Sequence, residues 1–108
     1  MAFKIESSLL DACTLAILSR GDTYGYEITQ SMRRAIAVSE STLYPVLRRL
    51  QKEDLCRTYD EPYQGRNRRY YSITAEGRTK LKEYQNQWKD YRNAIDTFLE
   101  TDGGGEDE

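Results

Sequence analysis

The stretch Ser41-Thr-Leu-Tyr-Pro-Val-Leu-Arg-Arg-Leu50 writes two different surfaces into one helical spacing. Leu43, Val46, Leu47 and Leu50 fall at i, i+3, i+4 and i+7, which makes one apolar face. Ser41, Tyr44, Pro45, Arg48 and Lys52 are thereby turned outward. The aliphatic stripe needs a core to sit on, so the chain must supply other elements that cover it. The outer face carries hydroxyl, phenol and guanidinium groups, donors suited to phosphate oxygens and base edges. The stretch reads as the recognition helix of a DNA-binding domain. An amphipathic helix with an ordinary solvated face fits the same residues, and the flanking sequence decides between the two.

Charge at first opposes a nucleic-acid partner, because the net charge is -2 and the sequence pI about 5.3. The distribution is uneven. Glu100, Asp102, Glu106, Asp107 and Glu108 stand together without a base, so residues 1–99 carry +3. Arg33, Arg34, Arg48, Arg49 and Lys52 cluster around the opening stretch, and Arg57, Arg66, Arg68 and Arg69 follow it. Local sign outweighs the total when a polyanion is met at close range.

A chain of 108 residues has room for one domain with its own core. It contains no histidine, and Cys13 and Cys56 are far apart, so neither a CxxC redox pair nor a zinc site can be assembled and no cofactor is expected. Both cysteines read as small buried apolar residues. No paired acid and base stands out, which argues against an enzyme. The apolar run from Leu9 to Leu18 is interrupted by Asp11 and falls short of a membrane span. With no cleavable signal at Met1-Ala-Phe-Lys, a cytoplasmic protein is expected.

In chain order, Ser7 or Ser8 is placed to cap a first helix to about Arg20, with Leu9, Leu10, Cys13, Ile17 and Leu18 on its inner side. After a Gly21-Asp22 turn, Thr23 is placed to cap a second helix from Tyr24 to about Ile36. Gly25 in its first turn costs about 1 kcal/mol against alanine, and is either a close packing point or a tolerated defect. Ser39 is placed to cap the third helix, yet Pro45 removes a backbone bond to residue 41. Either that helix begins later than Ser39 or it starts distorted. Asp54 is expected to close it in the left-handed conformation. Leu55 to Tyr59 and Arg68 to Ile73 read as strands, with turn chemistry in Glu61-Pro-Tyr-Gln-Gly65. A loop holding Gly65-Arg-Asn-Arg-Arg69 would give the hairpin a basic tip, the mark of a wing; a plain solvated hairpin is the alternative.

Three helices followed by a hairpin is the order of a winged helix-turn-helix. Here Tyr24-Gly-Tyr-Glu-Ile28, Ser41-Thr-Leu-Tyr-Pro-Val-Leu-Arg-Arg-Leu50, Gly65-Arg-Asn-Arg-Arg-Tyr-Tyr71 and Thr74-Ala-Glu-Gly77 together resemble the PadR family of bacterial transcriptional regulators, over about residues 8 to 77. The resemblance implies a dimeric repressor that lays its third helix in the major groove and its wing along the adjacent backbone, and that a small molecule often releases. Asp54 stands where the family usually has glycine.

Thr74 is placed to cap a last helix in which Leu81, Tyr84, Trp88, Tyr91, Ile95 and Phe98 follow at steps of three and four. That is a heptad seam, and it calls for a second copy of the chain. Aromatic rings at both core positions hold helices apart and leave flat faces in the gap. In the multidrug-sensing branch of the PadR family a tryptophan from each subunit lines a ligand pore, and Trp88 resembles that residue; simple helix packing by Trp88, Tyr84 and Tyr91 is the alternative.

The expectation is therefore a mainly α fold with a small β-hairpin. It comprises a winged helix-turn-helix at 1–77, a dimerisation helix at 78–99 and a disordered acidic tail at 100–108. Ser41, Thr42, Tyr44 and Arg48 are expected at bases and nearby phosphates of double-stranded DNA, with Arg49, Lys52, Arg66, Arg68 and Arg69 on the backbone. Trp88, Tyr84 and Tyr91 are expected at a small aromatic or cationic effector. A winged-helix module that binds only other proteins is the competing class.

Overall fold

The structure, a computed structural model, describes residues 5–100. The elements are α1 (Ser7–Ser19), β1 (Thr23–Tyr24), α2 (Gly25–Arg33), α3 (Glu40–Lys52), β2 (Cys56–Tyr63), β3 (Arg66–Ile73) and α4 (Ala75–Leu99). Four helices and one small antiparallel sheet make the mainly α winged-helix fold that the sequence order implies. The acidic tail expected beyond Glu100 lies outside the described residues.

The core forms where α1, α2 and α3 meet under the sheet. Leu43, Val46, Leu47 and Leu50 of α3 are all buried, as their spacing requires, against Leu10, Leu15 and Leu18 of α1 and Ile28 and Met32 of α2. Leu55 and Cys56 close one side, and Leu81 of α4 another. On α1 the inner face differs from expectation. Leu10 and Leu18 are buried as expected, but they are joined by Asp11, Thr14 and Leu15, while Leu9, Cys13 and Ile17 are only half-buried. Apolar residues run most of the way round that helix, so their spacing did not single out one face. Its N-cap is Glu6, without a side-chain cap bond, rather than Ser7 or Ser8.

Thr23 does not cap α2. It pairs with Tyr71, and Tyr24 with Tyr70, as a third strand on the wing, giving the order β1-β3-β2. A β-branched and an aromatic residue suit a pleated edge, and that preference overrides the capping role. α2 ends at Arg33, after which Ile36 returns its amide to the Met32 carbonyl in a turn and still packs on the core.

Ser39 does cap α3, its hydroxyl accepting from the Thr42 amide at 3.3 Å. Pro45 lies inside the helix, which nonetheless runs from Glu40, and the amide it lacks falls on an exposed turn. Asp54 follows with φ 61°, the left-handed residue that ends the helix. Thr74 then ties the ends together. Its hydroxyl donates to the Asp54 carbonyl at 2.7 Å and accepts from the Gly77 amide at 2.9 Å, capping α4.

The hairpin is longer than expected. Gln64 and Gly65, with φ 52° and 83°, form a two-residue turn of the kind that matches strand twist, and β2 and β3 pair along their full lengths from Cys56–Ile73 to Tyr63–Arg66. Pro62 is accommodated because β2 is an edge strand, where a missing amide is harmless. Arg66, Arg68 and Arg69 therefore stand on β3, not in a loop at the tip.

Candidate nucleic-acid interface

Burial of its apolar stripe turns the other face of α3 to solvent, and Ser41, Thr42, Tyr44, Arg48 and Lys52 are all exposed there. The hydroxyls form one group at the helix start: Ser39 Oγ lies 2.9 Å from Ser41 Oγ and 3.1 Å from Thr42 Oγ1. Each hydroxyl keeps capacity for a further bond outward. Tyr44 leans across the start of α2, and a Cβ built on Gly25 would touch its ring at 3.4 Å. That is an ordinary contact distance, so the packing against Tyr44 does not by itself require glycine at this position. Arg48 and Lys52 make no ion pair among the described residues, so their charges face outward uncompensated.

Arg49, one position further round, is turned inward. Its guanidinium grips the Asp11 carboxylate with two bonds, the Nε one at 3.3 Å, and reaches Ser7 Oγ at 3.3 Å. The Asp11 side chain is only 11% exposed. Its hydrogen bond raises the Arg49 pKa above the usual guanidinium value. The pair fastens α3 to α1 and gives Arg49 a structural role. A buried carboxylate must be paired.

On the wing, Arg66 is exposed and makes no ion pair among the described residues, and Arg69 meets its cross-strand neighbour Asp60 at 3.6 Å while remaining largely exposed. Arg68 is half-buried between two tyrosine rings, 3.8 Å from the Tyr24 centroid and 3.4 Å from that of Tyr63. Tyr24 and Tyr26 at the start of α2, Tyr44 of α3 and Asp60, Asn67, Arg68 and Arg69 of the wing are among the residues that line one open cleft of about 520 Å³. The structure thus brings α3 and the wing to a common surface. Tyr26 and Asn67 join it unforeseen. Tyr26 stands in the Tyr24-Gly-Tyr-Glu-Ile28 run and Asn67 in the Gly65-Arg-Asn-Arg-Arg-Tyr-Tyr71 run, but nothing there distinguished Asn67 from its arginine neighbours.

A second surface lies away from this one. α4 has 25 residues, about 37 Å at 1.5 Å per residue, and only its first part rests on the domain. Leu81 is buried and Tyr84 half-buried against α1; beyond them Trp88 is 43%, Tyr91 56%, Phe98 75% and Leu99 69% exposed, with Ile95 half-buried. Between α1 and α4 runs an apolar groove of about 400 Å³ whose walls include Leu9, Cys13, Ile36, Tyr84 and Trp88. The Trp88 and Tyr91 rings stand 6.2 Å apart and tilted. Burial raises the Tyr84 phenol and the Cys13 thiol, and pushes Cys56 up to about 11, so neither cysteine is a thiolate at neutral pH. Among the described residues no cluster of acids and cysteines is arranged to hold a metal, and no helix is long and apolar enough to cross a membrane.

The transcriptional regulator PadR-like family model matches residues 14–83. An uncharacterized protein of Lysinibacillus sphaericus is 34% identical over 96 residues, covering 84% of this chain and 88% of that one. Of the solved structures, one from Streptococcus mutans superposes with a TM-score of 0.85 at 37% identity, covering 94% of this chain and 95% of that one. A PadR-like transcriptional regulator of Bacillus cereus superposes with a TM-score of 0.77 at 33% identity, covering 88% and 95%. With the family match running from the first helix through the recognition surface and wing into α4, the chain belongs to the PadR-like family of transcriptional regulators and is a DNA-binding regulator of transcription, not an enzyme.

Proposed function

We propose that the protein is a homodimeric repressor that binds a pseudo-palindromic operator and is released by a small aromatic or cationic effector. The observation that carries this reading is the apolar seam of α4, left open to solvent beyond Tyr84. A row of large rings at heptad spacing is stable in water only against a partner, and the same row on a second copy supplies one. Two α4 helices paired in this way hold two α3 helices about 34 Å apart, the span of successive major grooves.

At each half-site Ser41, Thr42, Tyr44 and Arg48 face base edges and the phosphates beside them, while Lys52, Arg66 and Arg69 engage the backbone and supply most of the affinity. Arg49 is left to its bond with Asp11. The effector lies beside Trp88, Tyr84 and Tyr91, where the groove along α1 is open in one copy and roofed by the α4 of the other. Flat rings and cations are what such faces attract. Its binding changes the spacing of the α3 helices, and weakens DNA binding by as much as its preference for that spacing and no more.

Footprinting on the DNA upstream of the protein's own gene tests the reading. The expected result is one protected stretch with twofold-related halves, lost in Arg48→Ala. Protection of a single half would remove the dimer, and an Arg48→Ala variant that loses affinity for specific and random DNA alike would remove the base-reading role.

A further inference from the structure

β3 is the central strand of the sheet, flanked by β1 and β2. Tyr71 and Ile73 of β3 pack on the core, so strand alternation places Arg68 and Tyr70 on the opposite, outer face. There Arg68 has Tyr24 diagonally across on one neighbouring strand and Tyr63 on the other, and its guanidinium carbon stands within 3.8 Å of both ring centroids. Glu61 is its direct cross-strand neighbour, yet the two are not within ion-pair distance. The arginine stacks where it had a carboxylate to choose, and its Nη1 donates to the Tyr70 hydroxyl at 3.4 Å. With a ring on each flank and Nη1 turned to Tyr70, the guanidinium is held in one place on the sheet.

The two rings belong to different parts of the domain. Tyr24 is the residue from which α2 departs, and Gly25 next to it carries the Tyr44 ring of α3. Tyr63 is the last residue of β2 before the hairpin turn. A single side chain therefore ties the outer end of the wing to the root of the helix-turn-helix. We propose that Arg68 is a positioning residue: held between Tyr24 and Tyr63, it fixes the angle of the wing to the recognition helix. This rests on DNA binding through α3 and the wing. Only a planar cation can serve, because lysine carries the same charge as a compact ammonium with no face to stack.

The consequence is opposite to that of a backbone contact. A phosphate-binding arginine is largely replaced by lysine, and stripping a ring from it frees it to bind better. A clamped arginine fails in both substitutions, and for the same reason. Binding of Arg68→Lys, Tyr63→Ala and the double variant to a random-sequence duplex at about 50 mM salt separates the two cases. Each single variant is expected to bind about tenfold more weakly, with melting of the domain little changed, and the double variant no more weakly than either single one. In the free protein the Arg68 Nε proton is expected upfield, shifted by the ring currents, and to stay there when duplex is added. Wild-type affinity for the duplex is the control for the DNA-binding reading, while the free-protein resonance tests the clamp without DNA. Arg68→Lys binding as wild type, additive losses in the double variant, or an Nε resonance that moves on DNA addition would each overturn the proposal.

Discussion

Gly77 has no room for a side chain. A Cβ there would run into the Leu55 carbonyl oxygen and come within 2.7 Å of Ile73 Cγ1, so the start of α4 is pressed against the strand ends with only hydrogen between them. Gly77→Ala gains helix propensity but must displace backbone, and a net loss of about 3 kcal/mol, read by denaturant unfolding, is expected. Arg49 is the other residue held by a specific contact, its bond to Asp11. Arg49→Ala leaves Asp11 buried without its partner and is expected to cost about 3 kcal/mol of stability, whereas Arg48→Ala leaves unfolding unchanged and costs about 1 to 3 kcal/mol on the operator. The two arginines are adjacent in sequence. Their opposite fates were not legible from composition, since a helix turns about 100° per residue and either of them can lie at the boundary of the solvated face. The clue was Asp11, an acid inside an apolar run, which required a cation from elsewhere in the chain.

Among the elements, α3 and α4 were readable because their apolar residues keep one spacing over several turns, and each begins at a Ser or Thr that caps it in the structure. α1 existed where expected, but its inner face was ambiguous. The sheet was read short for two reasons. A two-residue strand such as β1 carries no periodicity, and its pairing with β3 is a long-range event that local sequence does not encode. The basic run of β3 also resembled a loop, when the positive φ of Gln64 and Gly65 confines the turn to those two residues. Gly65→Ala at φ 83° is expected to cost about 1 kcal/mol and to fray the wing, seen as faster amide exchange at Tyr63 and Arg66 with the helices unaffected.

At the scale of the whole molecule, the proposed DNA surface and the proposed α4 seam lie on different elements, so they can be broken separately. Trp88→Glu puts a charge into the seam and is expected to weaken pairing and operator binding together, while a single domain keeps its melting transition. The steep fall of operator affinity with salt is expected to survive in full-length dimer and to flatten in that variant, because a lone subunit releases about half the counterions. The seam was legible in the sequence as a heptad row. That Leu81 and Tyr84 pack on their own domain while the rings beyond Tyr84 stay open was not, because spacing gives a face and not its partner. The most direct test is the sedimentation mass of the purified chain at micromolar concentration, alone and with the upstream duplex. Twice the chain mass of 12.6 kDa for the protein alone, and that doubled mass added to the duplex's own when it is present, is the expected result. A species of 12.6 kDa that stays single on the duplex would contradict the pairing of recognition helices through α4.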